Sequence, residues 1–302
     1  MLDVIRMGGT RLIMHMKTVM FKRTAATLGL MSLLSIPSTL MIPSSSHAAT
    51  FFDTDFETCA TGTGNDFPCE GWNDFGQERE NYLEASTALA FSGTKAVKGT
   101  FDSNTGDGNT LRPSIYRTWT PTNHIFVRFA TRESPGFQIC WNGHTKMVRL
   151  KDDSGYPLLW IHNRYGAYNL IMEGPYDRAG GWVLSSGVAP SQTSWDEIEV
   201  EYRLNDPGVA NGFMRMWING TLRIEHLNHE YIGPTPTSVG PHGLSNPSTV
   251  RIRTAQIYMQ CALGVKYYDR FAVGDTRIGP TQSKPKSADS TPPASPLGLR
   301  AY

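Results

Sequence analysis

Alternating polar and apolar residues run through three short segments of this chain. In residues 255–261, Gln256, Tyr258 and Gln260 point one way, and the apolar residues between them point the other way. The same alternation recurs with Trp160, His162 and Arg164 in 159–164, and with Glu197, Glu199, Glu201 and Arg203 in 197–204. Side chains of a strand face opposite sides with a period of two, so each pattern predicts a half-buried strand with one polar face.

Strand patterns of this kind recur along the chain after residue 48, and none of it keeps a helical period of 3.6. The predicted strands are 51–57, 81–91, 95–101, 124–131, 145–151, 157–163, 167–172, 182–186, 196–204, 213–218, 221–226, 251–261 and 265–273. Asn219-Gly220 suits a type I′ hairpin turn, because both turn residues need a positive φ. Many strands and frequent turns, with 29 Gly and 19 Pro, predict an all-β, two-sheet antiparallel β-sandwich, a jelly roll.

The first 48 residues have the features of a secretory signal peptide. Basic residues precede a mildly apolar run at 25–42, and small residues follow at Ser46 and Ala48. Pro37 and the many Ser and Thr residues make this run too weak for a stable membrane span. We therefore expect cleavage after Ala48 and a secreted or periplasmic protein.

The two ends of the chain frame a single predicted domain at 49–279. A start at Met16 or Met20 would keep the signal intact, since residues 1–15 add nothing to it. After residue 279, Lys, Ser and Pro dominate, which predicts a disordered tail at 280–302. The length between these ends suits one large β-sandwich with a substantial core.

Four cysteines lie in the exported part of the chain. An even number in an oxidising compartment predicts two disulfides, and four cysteines permit three connectivities. Proximity favours a Cys59–Cys69 clip, which leaves Cys140–Cys261 to join two central strands. Zinc is disfavoured, because no metal-ligand spacing accompanies these cysteines.

The chain carries a net charge of +1, and 18% of its residues are charged. Such a balance gives no electrostatic footprint for nucleic acid or a membrane surface. Extracellular β-sandwiches that present aromatic, Tyr, His, Arg and carboxylate side chains on one sheet usually hold polysaccharides. We expect a monomer that binds a polysaccharide in the groove of one sheet, with no nucleic acid partner and no membrane partner after signal cleavage.

Several short stretches resemble concanavalin A-like jelly rolls. The edges of that fold are represented by Phe-Glu at 56–57, Ser-Gly-Thr-Lys-Ala at 92–96 and Tyr-Asp-Arg-Phe-Ala-Val-Gly at 268–274. Trp-Asp-Glu-Ile-Glu at 195–199, Met-Trp-Ile-Asn-Gly at 216–220 and Trp-Asn-Gly-His-Thr-Lys-Met-Val-Arg at 141–149 resemble secreted polysaccharide lyases of the alginate and glucuronan lyase type. The resemblance spans nearly all of residues 50–279 and implies a jelly roll that acts on a polysaccharide.

The order of three polar strands is similar to that in alginate-type jelly-roll lyases. Those proteins carry an Arg-rich strand, a Gln-Ile-His strand and a strand that ends in Tyr-x-Gln. This chain has Arg112 and Arg117, then Trp-Ile-His at 160–162, then Tyr-Met-Gln at 258–260. Trp160 stands where the family has Gln. The resemblance implies β-elimination on a uronic-acid polysaccharide, with no cofactor required.

β-Elimination needs a cation or amide that neutralises the sugar carboxylate, a base for the C5 proton, and an acid for the leaving oxygen. We predict that the base is His162 or Lys146 and that Tyr258 is the acid, or both acid and base. The candidates for neutralising the carboxylate are Arg112, Arg149 and Gln260. The further candidate substrate contacts on the same strands are Gln256, Trp160 and Arg164.

Lys146 and Arg149 are three residues apart, so a regular strand would place them on opposite faces. Both can reach one site only where an extra residue forms a β-bulge. A shared role for these two cations therefore predicts an irregularity in the strand between them.

The acidic strand at 196–201 supports a second interpretation. Its sequence Asp-Glu-Ile-Glu-Val-Glu resembles that of laminarinase- and lichenase-type glucanases, in which Glu197 would be the nucleophile and Glu201 the general acid. A retaining pair needs carboxyl groups about 5–5.5 Å apart, whereas four strand residues span roughly 13 Å. The alternative is a solvent-facing strand whose carboxylates pair with Arg203 and Arg215 across a hairpin.

A non-catalytic carbohydrate-binding module is the third interpretation. Its sugar-stacking platforms would be drawn from Trp141, Trp160, Trp182 and Trp217, although most buried Trp residues pack in the core. Trp160 is the leading sugar contact, because it shares a strand face with His162.

The two ends of the domain offer a candidate site for a structural calcium ion. Glu57 and Asp269 are expected on neighbouring strands of this fold, and their oxygen atoms suit Ca²⁺. The alternative is that the acidic residues of this region are plain surface charges.

Overall fold

The computed structural model describes residues 50–61, 69–74, 83–103, 114–140, 143–172, 183–229, 250–258 and 262–281. These residues form sixteen β-strands, all paired antiparallel, and none of them is helical. Within these ranges, no helix is long and apolar enough to cross a membrane. The predicted signal peptide and most of the predicted tail lie outside the described residues.

The larger sheet has nine strands in the order β14-β13-β12-β6-β16-β4-β3, with β1 and β7 also paired to β16. Its strands are β1 (Thr50–Thr54), β3 (Leu83–Ser86), β4 (Ala96–Ser103), β6 (His124–Glu133), β7 (Gln138–Ile139), β12 (Asp196–Arg203), β13 (Gly212–Ile218), β14 (Thr221–His229) and β16 (Ala262–Gly274).

The smaller sheet has seven strands in the order β11-β10-β9-β8-β15-β5-β2. Its strands are β2 (Asn73–Asp74), β5 (Ser114–Thr122), β8 (His144–Asp152), β9 (Pro157–Arg164), β10 (Ala167–Met172), β11 (Val183–Ser185) and β15 (Ile252–Tyr258).

The hydrophobic core consists of the apolar halves of the alternating strands. Ile198 and Val200 of β12 are fully buried in one cluster with Leu159 and Ile161 of β9, from the other sheet. The intervening residues of both strands therefore face outward, on opposite sides of the sandwich. The all-β, two-sheet jelly roll predicted from the sequence is confirmed.

Most predicted strands lie within a few residues of the observed ones, and 167–172 coincides with β10. The Asn219-Gly220 turn is also confirmed, with φ of 51° and 75° and with β13 and β14 as the flanking strands. Strand β5 was not predicted. Its sequence Ser-Ile-Tyr-Arg-Thr-Trp-Thr-Pro-Thr contains a proline and does not alternate cleanly between buried and exposed positions.

The Cys59–Cys69 disulfide is present, with the two Cα atoms 5.3 Å apart. Cys140 is also disulfide-bonded. Its predicted partner, Cys261, lies outside the described residues, so the Cys140–Cys261 pairing stays a prediction.

Candidate functional site

The outer face of the seven-stranded sheet brings the predicted polar residues together in rows that run across its strands. His162 of β9 lies directly opposite Lys146 of β8. In the next row, Trp160 lies opposite Arg149, and Arg149 lies opposite Gln256 of β15. Side chains directly opposite each other on one face of an antiparallel pair are close enough to interact. We refer to these five residues and Tyr258 as the β8–β9–β15 cluster.

A bulge in β8 places Lys146 and Arg149 on the same face. The pairing of β8 with β9 shifts between Lys146 and Val148, so one extra residue enters β8 at that point. The irregularity that the sequence required for a shared role of these two cations is therefore present.

The side chains of Lys146 and Arg149 rest on the Trp160 indole ring. The Nζ of Lys146 lies 4.1 Å from its ring centroid, and the guanidinium carbon of Arg149 lies 4.9 Å away. Tyr258 meets the same indole edge-on at 5.3 Å, and Arg149 also lies 4.4 Å from the Tyr258 ring. Cation–π attraction of this kind helps to hold charged side chains in place. Only 2% of the Trp160 surface is exposed. Trp160 therefore supports the two cations and does not offer an open surface on which a sugar could stack.

His162 is a buried imidazole that is 4% exposed. Neither its Nδ1 nor its Nε2 has a hydrogen-bond partner within the part of the chain that the structure describes. Burial lowers its pKa well below 6.5, and the positive charges of Lys146, His144 and Arg164 lower it further. At neutral pH the ring is therefore uncharged, and one of its nitrogens carries a lone pair that is available to accept a proton.

Arg149 and Gln256 form a pair beside this imidazole. The Nε of Arg149 donates a hydrogen bond to Oε1 of Gln256. The Nε2 of the fully buried Gln256 has no hydrogen-bond partner among the residues that the structure describes. A guanidinium and an amide N–H group in this arrangement suit a carboxylate.

The other predicted site residues have three different locations. Arg112 and Gln260 lie outside the described residues. Arg164 follows His162 on the same face of β9. Arg117 lies opposite Ala255, which is buried in the core, so it faces the other side of the sheet. Its guanidinium stacks 4.2 Å from the centroid of the Phe52 ring.

His144 is a member of this face that the sequence reasoning missed. Its ring stacks on that of His162 with 5.6 Å between centroids and an interplanar angle of 9°. His144 precedes Lys146 by two residues, and this spacing alone would have placed both on one face of a strand.

The acidic residues of β12 lie on the outer face of the other sheet, where a segment after β16 covers two of them. Residues 277–281, here called the C-terminal strap, run past β12. The backbone N–H groups of Ile278 and Gly279 donate to Glu199 at 2.8 and 3.0 Å. The N–H of Thr281 donates to Glu197 at 2.9 Å. These carboxylates are bound by the protein itself, as expected of structural groups.

Glu201 is held by cations of its own sheet. It pairs with Arg215 at 3.0 Å and with the His124 ring at 2.9 Å. Hydrogen bonds from the Arg215 guanidinium to Glu225, then to Glu201, raise the pKa of Arg215. Pairing with Arg215 across the hairpin was predicted. The expected contribution of Arg203 is not seen among the described ion pairs.

Two of the four Trp residues proposed as sugar platforms lie outside the described residues, namely Trp141 and Trp182. Trp217 of β13 is mostly buried, and the guanidinium carbon of Arg277 lies 4.4 Å from its ring centroid. The C-terminal strap thus occupies the surface on which a sugar would stack at Trp217.

The residues proposed for calcium do not fit that ion. The Glu57 carboxylate accepts hydrogen bonds of 2.7 Å from the N–H groups of Thr94 and Lys95. The Lys95 ammonium donates to the carbonyl oxygens of Glu57 and Cys59 at 2.8 and 2.7 Å. N–H donors and an ammonium group thus surround the oxygens that a cation would need. Among the described residues, no group of three His, Cys, Asp or Glu side chains could hold a metal ion.

Asp269 has the same type of surroundings. Its carboxylate accepts hydrogen bonds from the N–H groups of Phe91, Ser92 and Arg270 at 2.7, 3.0 and 2.7 Å. Burial nevertheless raises the pKa of Asp269 to about 7. Glu57 and Asp269 therefore bind neighbouring parts of one loop, 91–95, and tie it to both ends of the domain.

We expect Lys95→Met to lower the free energy of unfolding by about 2 kcal/mol, because two charge-assisted hydrogen bonds are lost. A chelator such as EDTA should leave the melting temperature of the wild-type protein unchanged. Calorimetry with and without EDTA measures both effects. A fall in the wild-type melting temperature on chelation, restored by calcium, would show that a metal ion and not Lys95 holds loop 91–95 in place.

No protein-family model and no curated protein matches the chain. Solved structures share its fold. One is the endo-β-1,4-glucuronan lyase from the fungus Trichoderma reesei, with a TM-score of 0.52 and 15% identity over 75% of this chain and 96% of that one. An alginate lyase in complex with an alginate trisaccharide has a TM-score of 0.55 and 11% identity, over 76% and 99% of the two chains.

The marine PL-14 alginate lyase from Aplysia kurodai also shares the fold, with a TM-score of 0.54 and 11% identity over 77% of this chain and 100% of that one. The resemblance to concanavalin A-like jelly rolls of the polysaccharide lyase type is thus confirmed at the level of the fold. At these identities the likeness extends to the architecture alone.

Proposed function

We propose that this chain is a secreted lyase that cleaves a uronic-acid polysaccharide by β-elimination on the outer face of the seven-stranded sheet. The observation that carries the proposal is the uncharged, unpartnered imidazole of His162, which lies among the cations Lys146 and Arg149. A neutral base within a positively charged site is what removal of a proton next to a carboxylate requires.

In the proposed reaction, Arg149 and Gln256 bind the sugar carboxylate. The positive charge of Arg149 and the amide N–H groups of Gln256 stabilise the negative charge that develops on the carboxylate when the C5 proton leaves. The pair is preorganised by its own hydrogen bond, so little rearrangement is needed when the substrate binds.

His162 accepts the C5 proton through its unpartnered nitrogen. The C–H electrons form the C4–C5 double bond, and the bond from C4 to the glycosidic oxygen breaks. Tyr258 donates its hydroxyl proton to that oxygen. One product ends in a new reducing end, and the other carries the unsaturated sugar at its new non-reducing end. His162 then releases its proton to solvent, and Tyr258 regains one from solvent.

Access of the substrate depends on the two cations. Lys146 and Arg149 rest on the Trp160 ring. Both have long, flexible side chains, so an incoming carboxylate can draw them away from the indole and open a path to His162.

The hydrolase alternative receives less support from the same geometry. Its nucleophile, Glu197, is bound by the C-terminal strap, and its acid, Glu201, is paired with Arg215 and His124. Neither carboxylate faces the β8–β9–β15 cluster, because they lie on the outer face of the opposite sheet.

Incubation with alginate, glucuronan, a heparin-like polymer and a neutral β-glucan separates the possible functions. A lyase produces new ultraviolet absorbance from the unsaturated sugar with an acidic polymer only. New reducing ends without that absorbance would indicate a hydrolase and overturn the proposal. Binding without any product would leave a carbohydrate-binding protein.

The pH profile provides a further prediction. Because the pKa of His162 is lowered well below 6.5, the activity should persist below pH 6.5 and fall only as His162 becomes protonated. Lys146→Met removes one of the charges that lower this pKa, so the acidic limb of kcat/KM should move to higher pH. The measurement is ultraviolet absorbance across a pH series. An acidic limb that is the same in both proteins would exclude His162 as the titrating base.

A further inference from the structure

Tyr165 is the most exposed large apolar side chain among the described residues. It is 74% exposed, whereas the next, Val209, is 51% exposed. It lies in the tight turn between β9 and β10, directly after Arg164. The other aromatic rings of the described residues are buried or half-buried, so Tyr165 stands out among them.

The ring is held in place although it is exposed. The N–H of Tyr165 donates to the carbonyl of Gly143 at 2.7 Å. The ring covers Gly143 so closely that a Cβ atom there would lie 2.3 Å from Cε1 of Tyr165. Only glycine leaves room for the ring, and Gly143 also has a φ of 81°. The aromatic surface is therefore fixed before any ligand arrives.

The backbone of Tyr165 is strained at the same point. Its φ is 50°, in the left-handed region that glycine and asparagine adopt with less strain than an aromatic residue. The tyrosine side chain therefore occupies a position where glycine would suit the turn better. A role for the side chain explains this choice, and the packing of the core does not, because the ring lies outside it.

A cation adjoins the ring. The guanidinium carbon of Arg164 lies 5.2 Å from the Tyr165 ring centroid. Among the described residues, Arg164 has no ion pair, and its buried Nε has no hydrogen-bond partner. Arg164 lies opposite His144 and two residues beyond His162 on the same face of β9. The aromatic surface and the cation thus extend the β8–β9–β15 cluster towards this end of the sheet.

We propose that Tyr165 and Arg164 form a binding subsite for a uronic-acid unit that flanks the bond to be cleaved. The sugar ring stacks on the tyrosine, and its carboxylate pairs with the guanidinium of Arg164. Tyr165 lies three residues beyond His162, past the end of β9, and its ring covers Gly143 rather than the imidazole. The subsite therefore binds a different unit from the one that reacts and favours longer chains.

This inference rests on the proposed lyase function, but binding can be measured without turnover. Tyr165→Gly suits the left-handed turn, so it should keep or raise the melting temperature while it removes the platform. In a His162→Ala background, we expect its affinity for an alginate or glucuronan hexasaccharide to fall about three- to tenfold. Tyr165→Phe, the matched control, should bind as the unmodified protein does.

Arg164→Gln should weaken binding of the acidic hexasaccharide and leave any binding of a neutral β-glucan hexasaccharide unchanged. In the active protein, Tyr165→Gly should raise KM for the hexasaccharide and leave kcat unchanged, with a smaller effect on a trisaccharide. Unchanged affinity and KM in Tyr165→Gly, with intact cleavage, would overturn the subsite and leave the lyase standing. Failure of the wild-type protein to bind or cleave any acidic polymer would overturn both proposals.

Discussion

If the proposed lyase reaction takes place, replacing His162 by alanine is expected to reduce kcat/KM on an acidic polymer by about 10²–10⁴-fold, the usual contribution of a general base. The reason is that His162 supplies the uncharged imidazole of the cluster, and among the described residues neither of its nitrogens has a hydrogen-bond partner. The initial rate of ultraviolet absorbance measures the loss. His226→Ala, on β14 of the other sheet, is the matched control and should retain full activity.

Tyr258→Phe tests the acid in the same assay. The Tyr258 ring packs edge-on against Trp160, and phenylalanine keeps that contact while it lacks the hydroxyl. We expect lyase activity to disappear and the melting temperature to stay within a degree or two. Full activity in this variant would remove Tyr258 from the mechanism. Full activity in His162→Ala would show that His162 is not the general base, and Lys146 would become the candidate for that role.

The largest expected effect on stability comes from Lys266→Met. The Lys266 ammonium is completely buried and pairs with Glu133 at 2.9 Å. Asn163 of the opposite sheet donates to the same carboxylate oxygen at 2.9 Å. Removing the lysine leaves a carboxylate inside the sandwich without its cation, which costs about 3–5 kcal/mol. Urea denaturation should show this loss as a lower midpoint.

A double variant, Lys266→Met with Glu133→Leu, distinguishes the charge from the packing. It removes both charges and leaves apolar side chains of similar size, so part of the stability should return, less the cost of the buried Asn163 amide that loses its acceptor. Stability as low as in the single variant would attribute the loss to packing of the lysine stem. Such a result would contradict a role for the ion pair itself.

The strands with one polar and one apolar face were predictable from the sequence because the core fixes which face is buried. This holds for β9, β12 and β15, in which alternate residues belong to the core cluster. Strand β5 escaped prediction, because its burial depends on the strands beside it and hardly on its own pattern. Local periodicity carries no information about such neighbours.

The candidate site was predictable only in part. Trp160 and His162 are two residues apart, and this spacing placed both on one face of the strand. The convergence of Lys146 and Arg149 required a bulge, which depends on the register between β8 and β9. The binding of Glu197 and Glu199 by the C-terminal strap was not foreseen either, since it joins residues about 80 positions apart. Both features arise from pairing across the fold, which no short sequence window contains.

The attachment of Thr281 to Glu197 has a practical consequence for immobilising the protein. Any polypeptide that continues from Thr281 starts on the flank opposite His162, because the two residues belong to the outer surfaces of different sheets. A resin, a fluorophore or a second module coupled behind that point would therefore leave the β8–β9–β15 cluster turned towards the solution and open to a long polymer.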